Sequence, residues 1–86
     1  MHYILAVFKS RNETLYFFNM FKSKRLPAQI INTPKEAGQA CGISVRFNES
    51  NLSIAQSFLQ TKPFRSFYGF FKVTKKGYNN FLERIL

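Results

Sequence analysis

The chain contains no aspartate, and it has only one histidine and one cysteine among its 86 residues. Without aspartate, a Ser-His-Asp triad cannot form. One His and one Cys cannot supply the four ligands of a structural zinc site. The four carboxylates are dispersed along the sequence and no glycine-rich phosphate loop is present, so paired-carboxylate catalysis and nucleotide hydrolysis are not indicated. We expect neither a metal nor a cofactor.

The single cysteine also excludes a disulfide within the chain. Because secreted domains of this size commonly carry several disulfides, the cysteine count favours a reducing cytosol and predicts a cytoplasmic protein. The apolar residues 1–8 lack the basic region and the cleavage site of a signal peptide. No run approaches the roughly 18 apolar residues that a membrane-spanning helix needs, so we expect no membrane association.

Positive charge and phenylalanine are abundant instead. Thirteen Lys and Arg against four acidic residues give a net charge of +9, and the chain has eleven Phe and four Tyr. These totals predict one folded domain over residues 1–86 with a core rich in aromatic side chains. The positive surface would attract phosphates, nucleic acid or an acidic protein partner, and charge alone does not choose among them.

The spacing of apolar residues predicts the element order βαββαβ followed by a C-terminal helix. This order is typical of an α+β protein with a ferredoxin-like βαββαβ sandwich, to which the C-terminal helix is an addition. The predicted strands cover residues 3–8, 28–32, 43–47 and 67–73, with the added helix at 75–86. That helix would present Tyr78, Phe81, Leu82 and Ile85 to the body of the domain.

A capping box predicts the start of the first helix. In Ser10-Arg11-Asn12-Glu13, the Ser10 and Glu13 side chains would each accept a hydrogen bond from a backbone N–H group of the other residue. Leu15, Phe18 and Phe21 follow at helical spacing, so they are expected to form the buried face of this helix.

Cys41 is the only plausible reactive group. It lies at the end of a predicted loop over residues 33–42, in the sequence Gln39-Ala40-Cys41-Gly42, immediately before the third strand. Gly42 would allow a ligand to approach the backbone closely. Lys35 and Arg46 add positive charge that, near the sulfur, would favour the reactive thiolate. The alternative is that Cys41 is a small buried apolar residue, which is common for a free cysteine.

Residues 33–47, with the sequence TPKEAGQACGISVRF, resemble the signature of the Putative Se/S carrier protein-like family. The resemblance rests on Pro34 and a basic residue leading into Cys41-Gly42, and on the strand that follows with Ser44 and Arg46. It covers roughly residues 3–73 and leaves the C-terminal helix outside.

The resemblance implies a small bacterial protein that holds sulfur or selenium on Cys41 as a persulfide or perselenide. Gly42 would give steric room, and Lys35 and Arg46 would stabilise the anionic chalcogen. Pro34 and Ser44 complete the implied binding residues. Such a protein is a carrier or accessory protein more readily than an enzyme, and its partners are the proteins that donate and accept the chalcogen.

Two other interpretations stay open from the residues. The aromatic strand at 65–73 in a basic βαββαβ protein invites comparison with RNA-recognition modules, although phenylalanines at strand spacing are more often core. In this alternative, a basic nucleic-acid or protein-binding module, Cys41 is structural and phosphates contact Lys22, Lys24, Arg25, Lys72, Lys75 and Lys76. The second interpretation is a homodimer that forms through an edge strand of the sheet.

Overall fold

The computed structural model describes residues 2–38 and 42–86. The elements, in chain order, are β1 (His2–Phe8), α1 (Arg11–Ser23), β2 (Ala28–Asn32), β3 (Ile43–Phe47), α2 (Leu52–Phe58), β4 (Phe67–Lys76) and β5 (Asn79–Arg84). Short 3-10 turns occupy Lys35–Ala37, in the loop before β3, and Glu49–Asn51, which leads into α2. No helix in these two ranges is both long enough and apolar enough to cross a membrane.

The described strands form one antiparallel sheet in the order β2-β3-β1-β4-β5. β1 lies at its centre, where Leu5 pairs with Arg46 of β3 on one side and with Phe71 of β4 on the other. Helices α1 and α2 contribute buried side chains to the core on one face of this sheet. The predicted α+β class is therefore confirmed.

The predicted C-terminal helix is wrong, because residues 79–84 form strand β5. A two-residue loop, Gly77–Tyr78, joins β4 to β5, and Lys76 pairs with Asn79 across it. Gly77 has a φ of 61° at the first loop position, which suits glycine in a tight hairpin turn. The free edge of β4 provides backbone groups that β5 can pair with, and a helix would have left that edge open.

The core on the helical face consists largely of phenylalanine. The Phe17 ring lies 5.1 Å from that of Phe8 and 5.5 Å from that of Phe21, measured between centroids. The buried residues of α1 are Thr14, Phe17 and Phe21, so Phe21 is buried as predicted, whereas the predicted Leu15 and Phe18 are only half-buried. The helix is therefore rotated about its axis relative to the prediction. In this orientation the Phe17 side chain, and not that of Phe18, packs among the other phenylalanine rings of the core.

The opposite face of the sheet is also covered. Its buried cluster contains Tyr3, Leu5, Val7, Ala37, Phe71 and Val73. Ala37 belongs to the loop between β2 and β3 and is only 2% exposed. The 3-10 turn Lys35–Ala37 therefore packs over the sheet face that the helices leave uncovered.

Candidate functional site

Cys41, the predicted reactive residue, lies outside the described residues, as do Met1, Gln39 and Ala40. The residues on both sides of it are described. At the base of the loop, the Thr33 N–H donates to the Gly42 carbonyl oxygen at 3.0 Å. The side-chain oxygens of Thr33 and Ser44 are 2.6 Å apart, and Ser44 is fully buried. These bonds join the end of β2 to the start of β3 and hold Gly42 there.

The first half of the loop is held by its own turn. The Ala37 N–H donates to the Pro34 carbonyl at 3.0 Å, and the Gly38 N–H donates to the Lys35 carbonyl at 3.0 Å. Pro34 has a φ of −64°, which the proline ring favours in any context. Lys35 is exposed, whereas Ala37 is buried against the sheet. The predicted Pro34 and Lys35 thus belong to a turn that Ala37 anchors.

Gly38 packs against Tyr68 of β4. A Cβ atom built on Gly38 would lie 2.9 Å from the Tyr68 hydroxyl oxygen. Gly38 also has a φ of 84° and a ψ of −149°, a backbone conformation that is almost confined to glycine. The backbone therefore requires glycine at the last described residue before Cys41, and a side chain there would also displace the Tyr68 hydroxyl.

Two cationic side chains lie over the Tyr68 ring. The Lys9 Nζ lies 5.8 Å from the ring centroid, and the guanidinium carbon of Arg84 lies 4.9 Å from it. Arg84 also donates a hydrogen bond to the Tyr68 carbonyl. The ring of Phe71 stacks beside Tyr68 at 6.0 Å. We refer to Lys9, Tyr68 and Arg84 as the Tyr68 cluster.

Sequence reasoning missed the Tyr68 cluster. Arg84 faces this side of the sheet because it pairs with Phe71 across β4 and β5. That pairing exists only in the hairpin, and a helical interpretation of the C-terminal residues conceals it. The Lys76-Gly77-Tyr78-Asn79 segment was the available signal, since a glycine between strand-like residues is typical of a hairpin turn.

The start of β4 is held in place by Glu13 at the beginning of α1. Its carboxylate accepts hydrogen bonds from the Ser66 hydroxyl at 2.6 Å and from the backbone N–H groups of Ser66 and Arg65 at 2.8 and 2.9 Å. Partial burial raises the pKa of Glu13, but these bonds and the nearby Lys62 charge outweigh it and hold that pKa below its usual value.

Of the two hydrogen bonds of the predicted capping box, one is present and the other is replaced by a bond to Ser66. The Ser10 hydroxyl accepts from the Glu13 N–H at 3.2 Å, as predicted. The Ser10 N–H, however, donates to the Ser66 hydroxyl at 3.0 Å instead of to Glu13. The Lys9 N–H donates to the Ser66 carbonyl at 2.9 Å. The start of α1 thereby positions both Lys9 and the segment that leads to Tyr68.

Arg46 lies farther along β3. It is four residues from Gly42, which corresponds to about 13 Å of strand. Its guanidinium carbon lies 4.0 Å from the centroid of the Tyr3 ring. Tyr3 comes before Leu5, the β1 residue that pairs with Arg46, so the Arg46 side chain leans away from the loop. The predicted action of Arg46 on the Cys41 sulfur stays a prediction.

The aromatic residues of β1 and β4 are mostly core. Phe70 is fully buried, and Tyr3 and Phe71 are 6% and 7% exposed. Bases could stack on Tyr3 or Phe71 only if the groups that cover them moved, so the comparison with RNA-recognition modules loses this part of its support. Among residues 2–38 and 42–86, no three His, Cys, Asp or Glu side chains are grouped so that they could hold a metal ion.

A family model described as Putative Se/S carrier protein-like matches residues 3–67. The chain belongs to this family. The match covers Cys41 and Gly42, and it ends at the start of β4 instead of at residue 73 as predicted. Searches of curated proteins and of solved structures find no match.

The candidate site of this Se/S carrier-like chain lies only partly inside the segment that the family model matches. The loop over residues 33–42, Lys9 and Arg46 lie inside the matched segment, whereas Tyr68 and Arg84 lie beyond its end. The contact between Gly38 and Tyr68 therefore joins the family segment to the β4–β5 hairpin.

Proposed function

We propose that this protein carries sulfur or selenium on Cys41, as a persulfide or perselenide, and passes it to a partner protein. The observation that supports this most is the family match over a chain with a single cysteine, which directly precedes Gly42. The described loop ends add support. Thr33 and Ser44 fix one side of the segment that contains Cys41, and Ala37 and Gly38 fix the other.

The proposed transfer needs no external oxidant. The Cys41 thiol loses its proton to solvent, and the thiolate attacks the terminal sulfur of a donor persulfide. A bond forms between the two sulfur atoms, the bond within the donor persulfide breaks, and the donor leaves as a thiolate that takes up a proton. An acceptor nucleophile then attacks the terminal sulfur, and Cys41 leaves as a thiolate. Selenium follows the same steps.

Positive charge would favour the thiolate and the persulfide anion over their protonated forms. We assign this role to Lys35, with Gly42 leaving space for the approaching chalcogen and with Pro34 and Ser44 holding the backbone. The same role for Arg46 stays a prediction, because its side chain leans away from the loop. The contact between Gly38 and Tyr68 adds Lys9 and Arg84 as candidates, because both cations lie over the Tyr68 ring. Among these residues, the Tyr68 cluster is the part that sequence alone did not indicate.

We also infer that the first four strands and both helices form a ferredoxin-like unit, to which β5 is an addition. The order β4-β1-β3-β2, with antiparallel neighbours, supports this assignment. We further infer one domain and a cytoplasmic location, where a single thiol stays reduced. Pairing of two copies through the β2 or β5 edge of the sheet stays a prediction.

Intact mass spectrometry tests the carrier proposal. Wild type and Cys41→Ser are incubated with a cysteine desulfurase and free cysteine, and in a second arm with free selenocysteine. We expect wild type to gain the mass of one sulfur or selenium atom and a thiol reductant to remove it. Cys41→Ser has no thiol and is expected to gain nothing. Absence of an adduct on wild type, or an equal adduct on Cys41→Ser, would contradict the proposal.

The rate of loading tests the assigned cations. Lys35→Gln and Lys76→Gln each remove one positive charge, and both lysines are exposed. Lys76 lies next to the β4–β5 turn, so its replacement is the matched control. We expect loading to slow several-fold in Lys35→Gln and to stay unchanged in Lys76→Gln. Equal rates in the two variants would remove Lys35 from the site.

A further inference from the structure

A cleft of about 370 Å³ opens beside the start of β1 and the start of β2. The polar side chains that line it include those of His2, Gln29, Arg46 and Asn48, and Tyr3 also contributes to the wall. Arg46 leans toward this cleft and away from the loop that contains Cys41. None of the described residues that line the cleft belongs to the loop over residues 33–42.

Arg46 packs against an aromatic ring, and within the two described ranges its side chain makes no hydrogen bond. Its guanidinium carbon lies 4.0 Å from the centroid of the Tyr3 ring, which is a cation–π contact. The N–H groups of a guanidinium lie in its plane and point outward from the edge. The contact with Tyr3 is not a hydrogen bond, so these donors stay available to an acceptor in the cleft.

The carboxylates of the chain are engaged elsewhere or exposed. All four glutamates belong to the described residues. Glu13 binds Arg65 and Ser66, and Glu49 accepts from His2 at 2.9 Å and lies 3.4 Å from the Lys72 amine. Within residues 2–38 and 42–86, both ion pairs involve Glu49 and neither involves Arg46. The Arg46 guanidinium therefore forms no salt bridge with a glutamate of these ranges, and Glu49 reaches the cleft only through its contact with His2.

Asn48 presents further donors at the same cleft. Its Oδ1 accepts a hydrogen bond from the Ser50 N–H at 3.0 Å. This bond uses the acceptor end of the amide and leaves its two N–H donors for another group. Gln29 is exposed and pairs with Arg46 across β2 and β3, so its amide lies on the same wall.

We propose that this cleft binds the oxyanion of a small molecule that carries a phosphate or carboxylate group. The Arg46 guanidinium is the primary ligand, since its fork of N–H donors matches both groups. The amides of Gln29 and Asn48 complete the set of donors. The volume of the cleft lies within the range of small-molecule sites and exceeds what the oxyanion alone fills. The proposal does not depend on Cys41.

Amide NMR titrations with inorganic phosphate and with acetate test the proposal, at an ionic strength held constant with sodium chloride. We expect saturable shifts at Gln29, Arg46 and Asn48, and the tighter-binding probe identifies the preferred oxyanion. Arg46→Gln is expected to weaken binding about tenfold or more, because it removes a charge-assisted pair. Arg46→Lys is expected to be intermediate, because it keeps the charge and loses the fork.

Arg11→Gln is the matched control, because Arg11 is exposed at the start of α1 and loses the same charge. It should bind as wild type does, and Cys41→Ser should too, which separates this proposal from the carrier function. Shifts that do not saturate with either probe would overturn the proposal. Equal affinities in Arg46→Gln and Arg11→Gln would overturn it as well, and Arg46→Lys provides the comparison if Arg46→Gln does not fold.

Discussion

The hydroxyl group of Tyr68 occupies the space that a side chain at Gly38 would need. A Cβ atom on Gly38 would lie 2.9 Å from that oxygen and 3.6 Å from the ring carbon that bears it. The hydroxyl alone is too close, since 3.6 Å is an ordinary contact distance. The loop that contains Cys41 is thus fitted to β4 through one glycine and one hydroxyl group.

Gly38→Ala is expected to lower the free energy of unfolding by about 1–3 kcal/mol, because alanine is strained at this backbone conformation and meets the Tyr68 hydroxyl. Tyr68→Phe in the same chain should recover the steric part and leave the backbone strain. Gly42→Ala is the control, because no atom of the described residues lies within 4 Å of a Cβ there. Chemical denaturation measures all four proteins. A double variant no more stable than Gly38→Ala would contradict the role of the hydroxyl.

The hydrogen bond between Thr33 and Ser44 is expected to contribute to stability only as a pair. Ser44→Ala should lower the free energy of unfolding by about 1–2 kcal/mol, because the part-buried Thr33 hydroxyl then loses its hydrogen-bond partner. Thr33→Val in addition should cost little more, since both polar partners are then gone. A double-mutant cycle by thermal or urea unfolding measures the coupling. Fully additive losses would show that the two hydroxyls do not interact.

Glu13 is expected to make stability depend on pH. Its pKa is lower in the folded chain than the ordinary value of 4.5. The unfolded chain therefore binds the proton more readily, and the stabilisation is present above pH 4.5 and lost as the pH falls through the folded pKa. The free energies of unfolding of wild type and Glu13→Gln should differ by about 1 kcal/mol at pH 7, and the two values should converge in acid.

Glu36→Gln provides the control for this pH series. Glu36 is exposed in the 3-10 turn and loses the same charge on substitution. We expect its unfolding free energy at pH 7 to lie within about 0.5 kcal/mol of wild type. A difference between wild type and Glu13→Gln that stays constant from pH 7 down to acid would argue against the hydrogen-bonded carboxylate.

Phe17 is expected to be the most sensitive position of the helical-side core. Its ring contacts those of Phe8, Phe21, Phe58, Phe64 and Phe70. Phe17→Ala should cost about 3–5 kcal/mol, and Phe17→Leu about 1–2 kcal/mol because it keeps more of the volume. Tyr78→Ala, at a fully exposed turn position, should stay within about 0.5 kcal/mol. Thermal unfolding by circular dichroism distinguishes these variants.

Local patterns predicted the parts of the fold that depend on neighbouring residues. Ser10 caps α1, β2 covers Ala28–Asn32, and β3 covers Ile43–Phe47, as the sequence indicates. Each of these depends on a short-range preference: a hydroxyl group at the helix start, a short strand-like segment for β2, and an alternation with a period of two residues for β3. The family match likewise rests on a contiguous segment, residues 3–67.

The errors arose where one pattern suits two structures. Phe81, Leu82 and Ile85 have helical spacing, yet they also fit a strand that places Leu82 and Ile85 against opposite faces of the sheet. The rotation of α1 is a second case, because Phe17 and Phe18 are equally apolar and spacing alone does not choose between the two possible buried faces. Only the shape of the sheet decides between them.

Local preferences and contiguous motifs were enough to predict the α+β class, the start of the first helix and the family. The neighbours of Gly38, in contrast, follow from the three-dimensional arrangement of the strands. Tyr68 and Gly38 are thirty residues apart in the chain, and Arg84 reaches Tyr68 only through the β4–β5 hairpin. Contacts over such separations result from strand order and register, which depend on packing of the whole sheet.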